Sequence, residues 1–219
     1  MITFETVKKC EELNTYIKKA DESLGALGFT EHSFAHVTKV ALKSEYILKT
    51  LGYGERECEL AKIAGYMHDI GNVVNRIDHA QSGAVMAFRI LSKLGADACD
   101  IADIIAAIGN HDEATAFPVN PVAAALILAD KCDVRYTRVR NRDFATFDIH
   151  DRVNFSVKEA DIVITEDKKE VILSLVIDTE FCSVMDYFEI FIGRMLLCKK
   201  AAEKLNLRFR LVVNGQKLL

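Results

Sequence analysis

The chain has 219 residues, which suits one medium domain or one domain with a small appendage, and half of them are apolar, which excludes a disordered chain. Its formal charge of 28 − 32 = −4 argues against sequence-independent binding of nucleic acid, which needs a basic footprint. A small phosphate-bearing ligand remains open, since it requires only a few local cations. The opening residues lack the basic-then-apolar pattern of a signal peptide. The most apolar run, 122–129, is far short of a membrane span, so a soluble, cytoplasmic protein is expected. The six cysteines form no C-x-x-C pair and read as reduced, buried thiols.

In chain order, residues 4–24 set Phe4, Val7, Leu13, Ile17 and Leu24 among charges, which predicts an amphipathic first helix. A second helix is predicted over 31–51 and a third over 55–69. Gly71 then stands where a helix C-terminal glycine belongs. Residues 72–78 read as a loop. Helices follow over 79–94 and 97–108, each stopped by a glycine. Residues 110–120 form a polar loop, and Pro121 starts a sixth helix running to Arg138. Beyond Asn141 the texture changes. Residues 153–164 and 171–177 alternate as a hairpin, 183–205 form a last helix, and 207–213 a short strand. The expected fold is mainly α: a helical metal-binding domain over 1–141, with a small α+β extension over 142–219.

The chemistry-bearing residues cluster in the helical part. His32 and His36 stand at i and i+4, the spacing of one helix face. His68-Asp69 closes the third helix. His79, His111 and Asp130 follow, and Asp130 interrupts an Ala/Leu/Ile run in which a carboxylate is costly unless paired or metal-bound. Imidazole and carboxylate are the ligand types of first-row divalent cations. His150 lies outside the pattern and reads as surface. Asp112 and Glu113 read equally as neighbours of the site or as solvated residues.

This pattern resembles the HD-domain metal-dependent phosphohydrolases. That family has a His, a later His-Asp doublet and a distant Asp on separate helices. The matching residues are His36, His68-Asp69 in AKIAGYMHDIGN (61–72), and Asp130 in LADK (128–131). The resemblance covers about residues 30–140 and implies an HD-like helical bundle. His79, followed by Gly83, and His111 resemble the extra histidines of two-metal branches. Of these, the HD-GYP cyclic-dinucleotide phosphodiesterases carry a Gly-Tyr-Pro element that 114–118 lacks, which argues against that substrate. His32-x-x-x-His36 is similar to the H-N-x-x-H element of cyclic-nucleotide phosphodiesterases, with Ser33 in place of Asn.

The resemblance implies a phosphate mono- or diester substrate, probed first among nucleotides and similar metabolites. It implies one or two divalent ions (Mn, Fe, Ni, Mg or Zn) held by His36, His68, Asp69, His79, His111 and Asp130. Asp69 bridges, Asp130 orients water, and a protonated His32 serves as general acid. Arg76, Lys131, Arg135 and Arg138 are the candidate phosphate-binding cations, the last three on the helix that carries Asp130. A homodimer is compatible with this reading. The alternative is a non-catalytic metal or nucleotide sensor or scaffold. The complete ligand set favours the enzyme.

Overall fold

A computed structural model describes residues 1–218. The helical part opens with a break where one helix is predicted: α1 spans Phe4–Lys8 and α2 Glu11–Ala26. The Asn14 amide donates to the Lys8 carbonyl at 2.8 Å, closing α1 before α2 begins. Next come α3 (Phe34–Leu51), α4 (Glu55–Met67), α5 (His79–Lys93), α6 (Ala98–Gly109) and α7 (Pro121–Lys131). Their boundaries follow capping chemistry. Ser33 accepts from the Ala35 amide, Asp97 from Cys99 and Asn120 from Ala123, each supplying an orphan helix N–H with an acceptor.

Helix α7 is the hub. Residues 122–129 are all buried, and the helix packs on α3, α4, α6 and α9. This explains why its apolar run shows no amphipathic stripe: a helix covered all round has no face to leave polar. It ends at Lys131, seven residues short of the predicted Arg138, with Cys132 as C-cap. Helices α3 and α4 cross at Gly65, where an added Cβ would meet the Ala41 Cα at 2.7 Å.

Gly71 has a different role from the predicted one. Helix α4 ends earlier, at Met67, and Gly71 lies in a short 3₁₀ turn, Ile70–Val73. A Cβ there would lie 2.0 Å from the His79 carbonyl oxygen and 2.5 Å from the Gly83 nitrogen. The glycine thus admits the start of α5 against the end of α4.

In the C-terminal part, the alternation read as strand from Val153 is at first helical. Helix α8 spans Ile149–Ser156, and the Asp148 side chain caps it at the Asp151 amide, 2.8 Å. Short apolar spacing does not separate the two periods; the Asp N-cap is the missed signal. Strands β1 (Val157–Ile164) and β2 (Glu170–Ile177) form the predicted hairpin. Helix α9 (Val184–Lys204) carries the chain to β3 (Arg208–Val213), which pairs parallel to β2 as a crossover permits, and β4 (Gln216–Lys217) closes the order β1-β2-β3-β4. Val171, Leu173, Leu175 and Ile177 of β2 share the core with α7 and α9, so one apolar cluster runs across position 141. Among the described residues no helix is long and apolar enough to cross a membrane. Four cysteines are buried as expected, but Cys99 is exposed and Cys10 half-buried; all six are free thiols.

Candidate metal centre

The ends of five helices converge on one point. His36 is the third residue of α3, His68 the C-cap of α4, His79 the first residue of α5, His111 follows the C-cap of α6, and Asp130 is the penultimate residue of α7. Adjacent residues on a continuous helix diverge by about 100°. His68 and Asp69 face the same point because the helix stops between them: Asp69, with φ −95° and ψ 0°, has already left it.

Each imidazole is fixed through Nδ1. That atom lies 2.8 Å from Asp133 Oδ2 in His36, 2.8 Å from the Gly65 carbonyl in His68, 3.0 Å from the Arg76 carbonyl in His79 and 2.6 Å from the Ile108 carbonyl in His111. All these partners are acceptors, so Nδ1 carries the proton and Nε2 is turned inward. Holding one ring nitrogen in this way is how proteins orient metal-ligating histidines.

Asp69 divides the ring nitrogens into two sets. Its Oδ2 lies 3.1 Å from His68 Nε2 and 3.5 Å from His36 Nε2, and Asp130 Oδ1 lies 3.6 and 3.4 Å from the same two nitrogens. Its Oδ1 lies 3.6 Å from His79 Nε2 and 4.0 Å from His111 Nε2. His36, His68 and Asp130 can hold one cation, and so can His68, Asp69 and His111, since one donor atom of each lies within 4.8 Å of the others.

A test of fit follows from the hydrogen bonds these atoms lack. His36 Nε2, His68 Nε2 and Asp69 Oδ2 are buried and have no aligned hydrogen-bond partner, despite standing 3.1–3.5 Å apart. His79 Nε2 and His111 Nε2 face each other at 3.2 Å. With both Nδ1 protons committed to carbonyls, these are two lone pairs facing each other, and the donor beside them is Arg76 Nη1, 3.4 Å from His79 Nε2. Buried polar atoms left so are costly. A divalent cation satisfies all of them, and the donor set fits one.

The electrostatics agree. Burial pulls the His79 imidazolium below its usual value despite the opposing Asp69 charge. Burial and the neighbouring His68 and Lys131 charges hold His111 well below it. Both rings are thereby held toward the neutral form that a metal ligand requires. Burial also disfavours a charged His68, but Asp69 and Asp130 overcome it and raise the group to about 10. Burial pushes the Asp69 and Asp130 carboxyls up, yet the His68 charge for one and Lys131 for the other hold both well below the usual range.

A cavity of about 370 Å³ opens onto this cluster, lined in part by Asp69, His79, His111 and Asp130. Arg76 and Lys131 line it too. Arg76 donates to Asn72 Oδ1 at 3.3 Å and lies over the Phe29 ring at 5.7 Å. Arg138 lines it, but from a 3₁₀ turn rather than the helix of Asp130, and it is spent on the Glu31 and Asp133 carbonyls at 2.8 and 2.7 Å. Arg135 is absent from the lining. Once the helix ends at Lys131, Arg135 turns to Asp133 Oδ1 at 3.1 Å and Glu31 Oε2 at 3.3 Å, which corrects its assignment to phosphate.

His32 also differs from expectation. It precedes the Ser33 cap and so shares no helix face with His36, although the two rings pack edge-on at 5.4 Å. Burial, then the Arg138 charge, hold it well below the usual imidazole value, and its Nδ1 is tied to the Thr30 carbonyl at 2.7 Å. These hold the ring toward its neutral form in the unliganded protein, where it lines the cavity as a hydrogen-bond acceptor rather than as the expected protonated general acid.

Sequence reasoning missed three neighbours. Asp133, 1% exposed, holds His36 and pairs with Lys39 at 2.7 Å. Its sequence setting, Asp-Lys-Cys-Asp-Val-Arg over 130–135, is charged and carries no signal like the apolar run that marked Asp130. Asn72 donates to Asp69 Oδ1 at 3.0 Å. Arg194 of α9 reaches the cavity from outside the recognised pattern.

Residues 33–135 match the family model for the HD domain. No curated protein matches the chain. Among solved structures, a predicted HD superfamily hydrolase from an uncultured Thermotogales bacterium is similar at 22% identity and a TM-score of 0.44, covering 62% of this chain and 75% of its own. The family is in general one of metal-dependent phosphohydrolases. With the H…HD…D residues falling inside the matched span, residues 33–135 of this chain are an HD domain.

Proposed function

We propose that this protein hydrolyses a phosphate ester of a small metabolite, a nucleotide or a similar compound, with the help of two divalent cations. His36, His68, Asp69 and Asp130 would hold one cation. Asp69, His79 and His111 would hold the other. The observation that carries this reading is the pair of Asp69 oxygens, each facing its own set of ring nitrogens. Cations bound in such a pair acidify water and neutralise charge on phosphoryl oxygens.

The protein's own groups do the rest. Asp130 Oδ2, steadied by Lys131 Nζ at 2.8 Å, orients the attacking water. Arg76 has no carboxylate partner among the described residues; its Nη1 rests on Asn72 Oδ1 and His79 Nε2 at 3.3 and 3.4 Å, and its remaining donors face phosphoryl oxygens in this reading. Neutral His32 accepts a hydrogen bond from the substrate or from water.

The test is hydrolysis of p-nitrophenyl phosphate and bis(p-nitrophenyl) phosphate by protein reconstituted with Mn, Fe, Ni, Mg or Zn. At least one substrate is turned over, and Asp69→Ala falls to background. Metal-loaded protein inert on both substrates and on a nucleotide panel would favour the sensor instead.

A further inference from the structure

Helix α9 lies outside residues 33–135, yet it turns Arg194 into the cavity. The guanidinium sits 4.2 Å from the ring centroid of Phe191, itself 2% exposed, so core packing sets its direction. Its Nε donates to Glu113 Oε1 at 2.6 Å. The same oxygen lies 3.7 Å from Lys131 Nζ, which in turn touches Asp130 Oδ2 at 2.8 Å. Glu113 follows His111 by two residues. A carboxylate from outside the cavity lining therefore bridges two cations that do line it, one contact away from a metal-ligand candidate. The Lys131 side chain is only 7% exposed, that of Arg194 25% and that of Glu113 34%, so the two cations are held by the fold while the carboxylate between them reaches solvent. An arginine fork and an ammonium that accept a carboxylate also accept a phosphate.

We propose that Lys131 and Arg194 form a second anion seat, which Glu113 fills until a substrate with a second anionic group displaces it. Resting on the proposed phosphohydrolase, this narrows its substrates to esters that carry a phosphate or carboxylate beyond the reacting phosphoryl group. Arg194 contacts that non-reacting group and sets specificity. Glu113 is its internal competitor, which discriminates against ligands with one anionic group because they do not repay its displacement.

The experiment is calorimetric binding of two unreactive probes to metal-loaded protein: methylphosphonate, with one anionic group, and phosphonoacetate, with an added carboxylate. Wild type favours phosphonoacetate by about tenfold, the size of one charge-assisted contact. Arg194→Ala loses that preference, and Glu113→Gln strengthens phosphonoacetate several-fold. Because the two variants move in opposite directions, damage to the fold cannot imitate the pattern. Equal affinity for both probes in wild type, binding of neither, or equal weakening of both by Arg194→Ala would overturn the seat. If the predicted pattern appears but no ester is hydrolysed, the seat stands and the phosphohydrolase reading fails.

Discussion

An imidazole makes a directed ligand when its other nitrogen is held, and at His36 the holder is a carboxylate. Burial pushes the Asp133 carboxyl up, but the His36 hydrogen bond and the Arg138 charge keep it far below the usual range, so it is ionised across all working pH. Asp133→Asn should lower metal affinity roughly 10–100-fold while the protein remains folded, checked by competition with a chelator. A second prediction concerns protons. In the metal-free protein His68 titrates at about 10, so at pH 7–8 a cation must displace its proton. Metal uptake should release about one proton through this group, and affinity should climb with pH until about pH 10. Calorimetry in two buffers of different ionisation enthalpy measures this, and buffer-independent heats contradict it. The stability sign follows. The folded value is raised above the unfolded 6.5, so the His68 contribution is fully present below 6.5 and is lost as pH rises through about 10.

At the scale of elements, close approach rather than hydrogen bonding sets the site's geometry. Gly71→Ala places a methyl group 2.0 Å from the His79 carbonyl and should separate α5 from the end of α4. A cost of about 1–3 kcal/mol in unfolding free energy is expected, together with loss of the cation held by His79 and His111. Gly52→Ala provides the control: its αL backbone (φ 92°) is strained, but nothing lies within 4 Å of the added carbon, so metal content should be unaffected. Most elements were legible in the sequence because caps, glycines and apolar spacing agree, as for Ser33 before α3 and Pro121 at α7. The failures share a cause. The break at residue 9 and the helical start of α8 are local decisions made by side-chain hydrogen bonds, and α7 ends early on a backbone cap at Cys132, none of which apolar periodicity reports. In the site, each ligand type was legible. What it took structure to see was Nδ1 anchoring: three partners are backbone carbonyls three residues back, which no side-chain pattern reports, and the fourth, Asp133, stands 97 residues away.

For the whole molecule, the continuous core matters most. β2 and β3 pack their alternate side chains with α9, and α9 packs on α7, which carries Asp130. The apolar face of α7 is thus covered from both sides of position 141. Leu211→Ala, which empties a fully buried position in β3, should cost about 2–5 kcal/mol. Thermal unfolding should remain a single transition, with tryptic cleavage showing no protected fragment ending near residue 141. Two separated transitions would mean that the extension folds on its own and merely rests on the HD domain.

Asp69 joins every scale, as the residue whose two oxygens face two sets of histidines where the helices end. The most direct measurement is therefore metal content by mass spectrometry, taken alongside phosphatase activity, for wild type and Asp69→Ala after reconstitution. A bridging carboxylate requires about two equivalents of cation in wild type and a loss of both metal and activity in the variant. Asp69→Ala retaining full metal content and full activity would contradict the account.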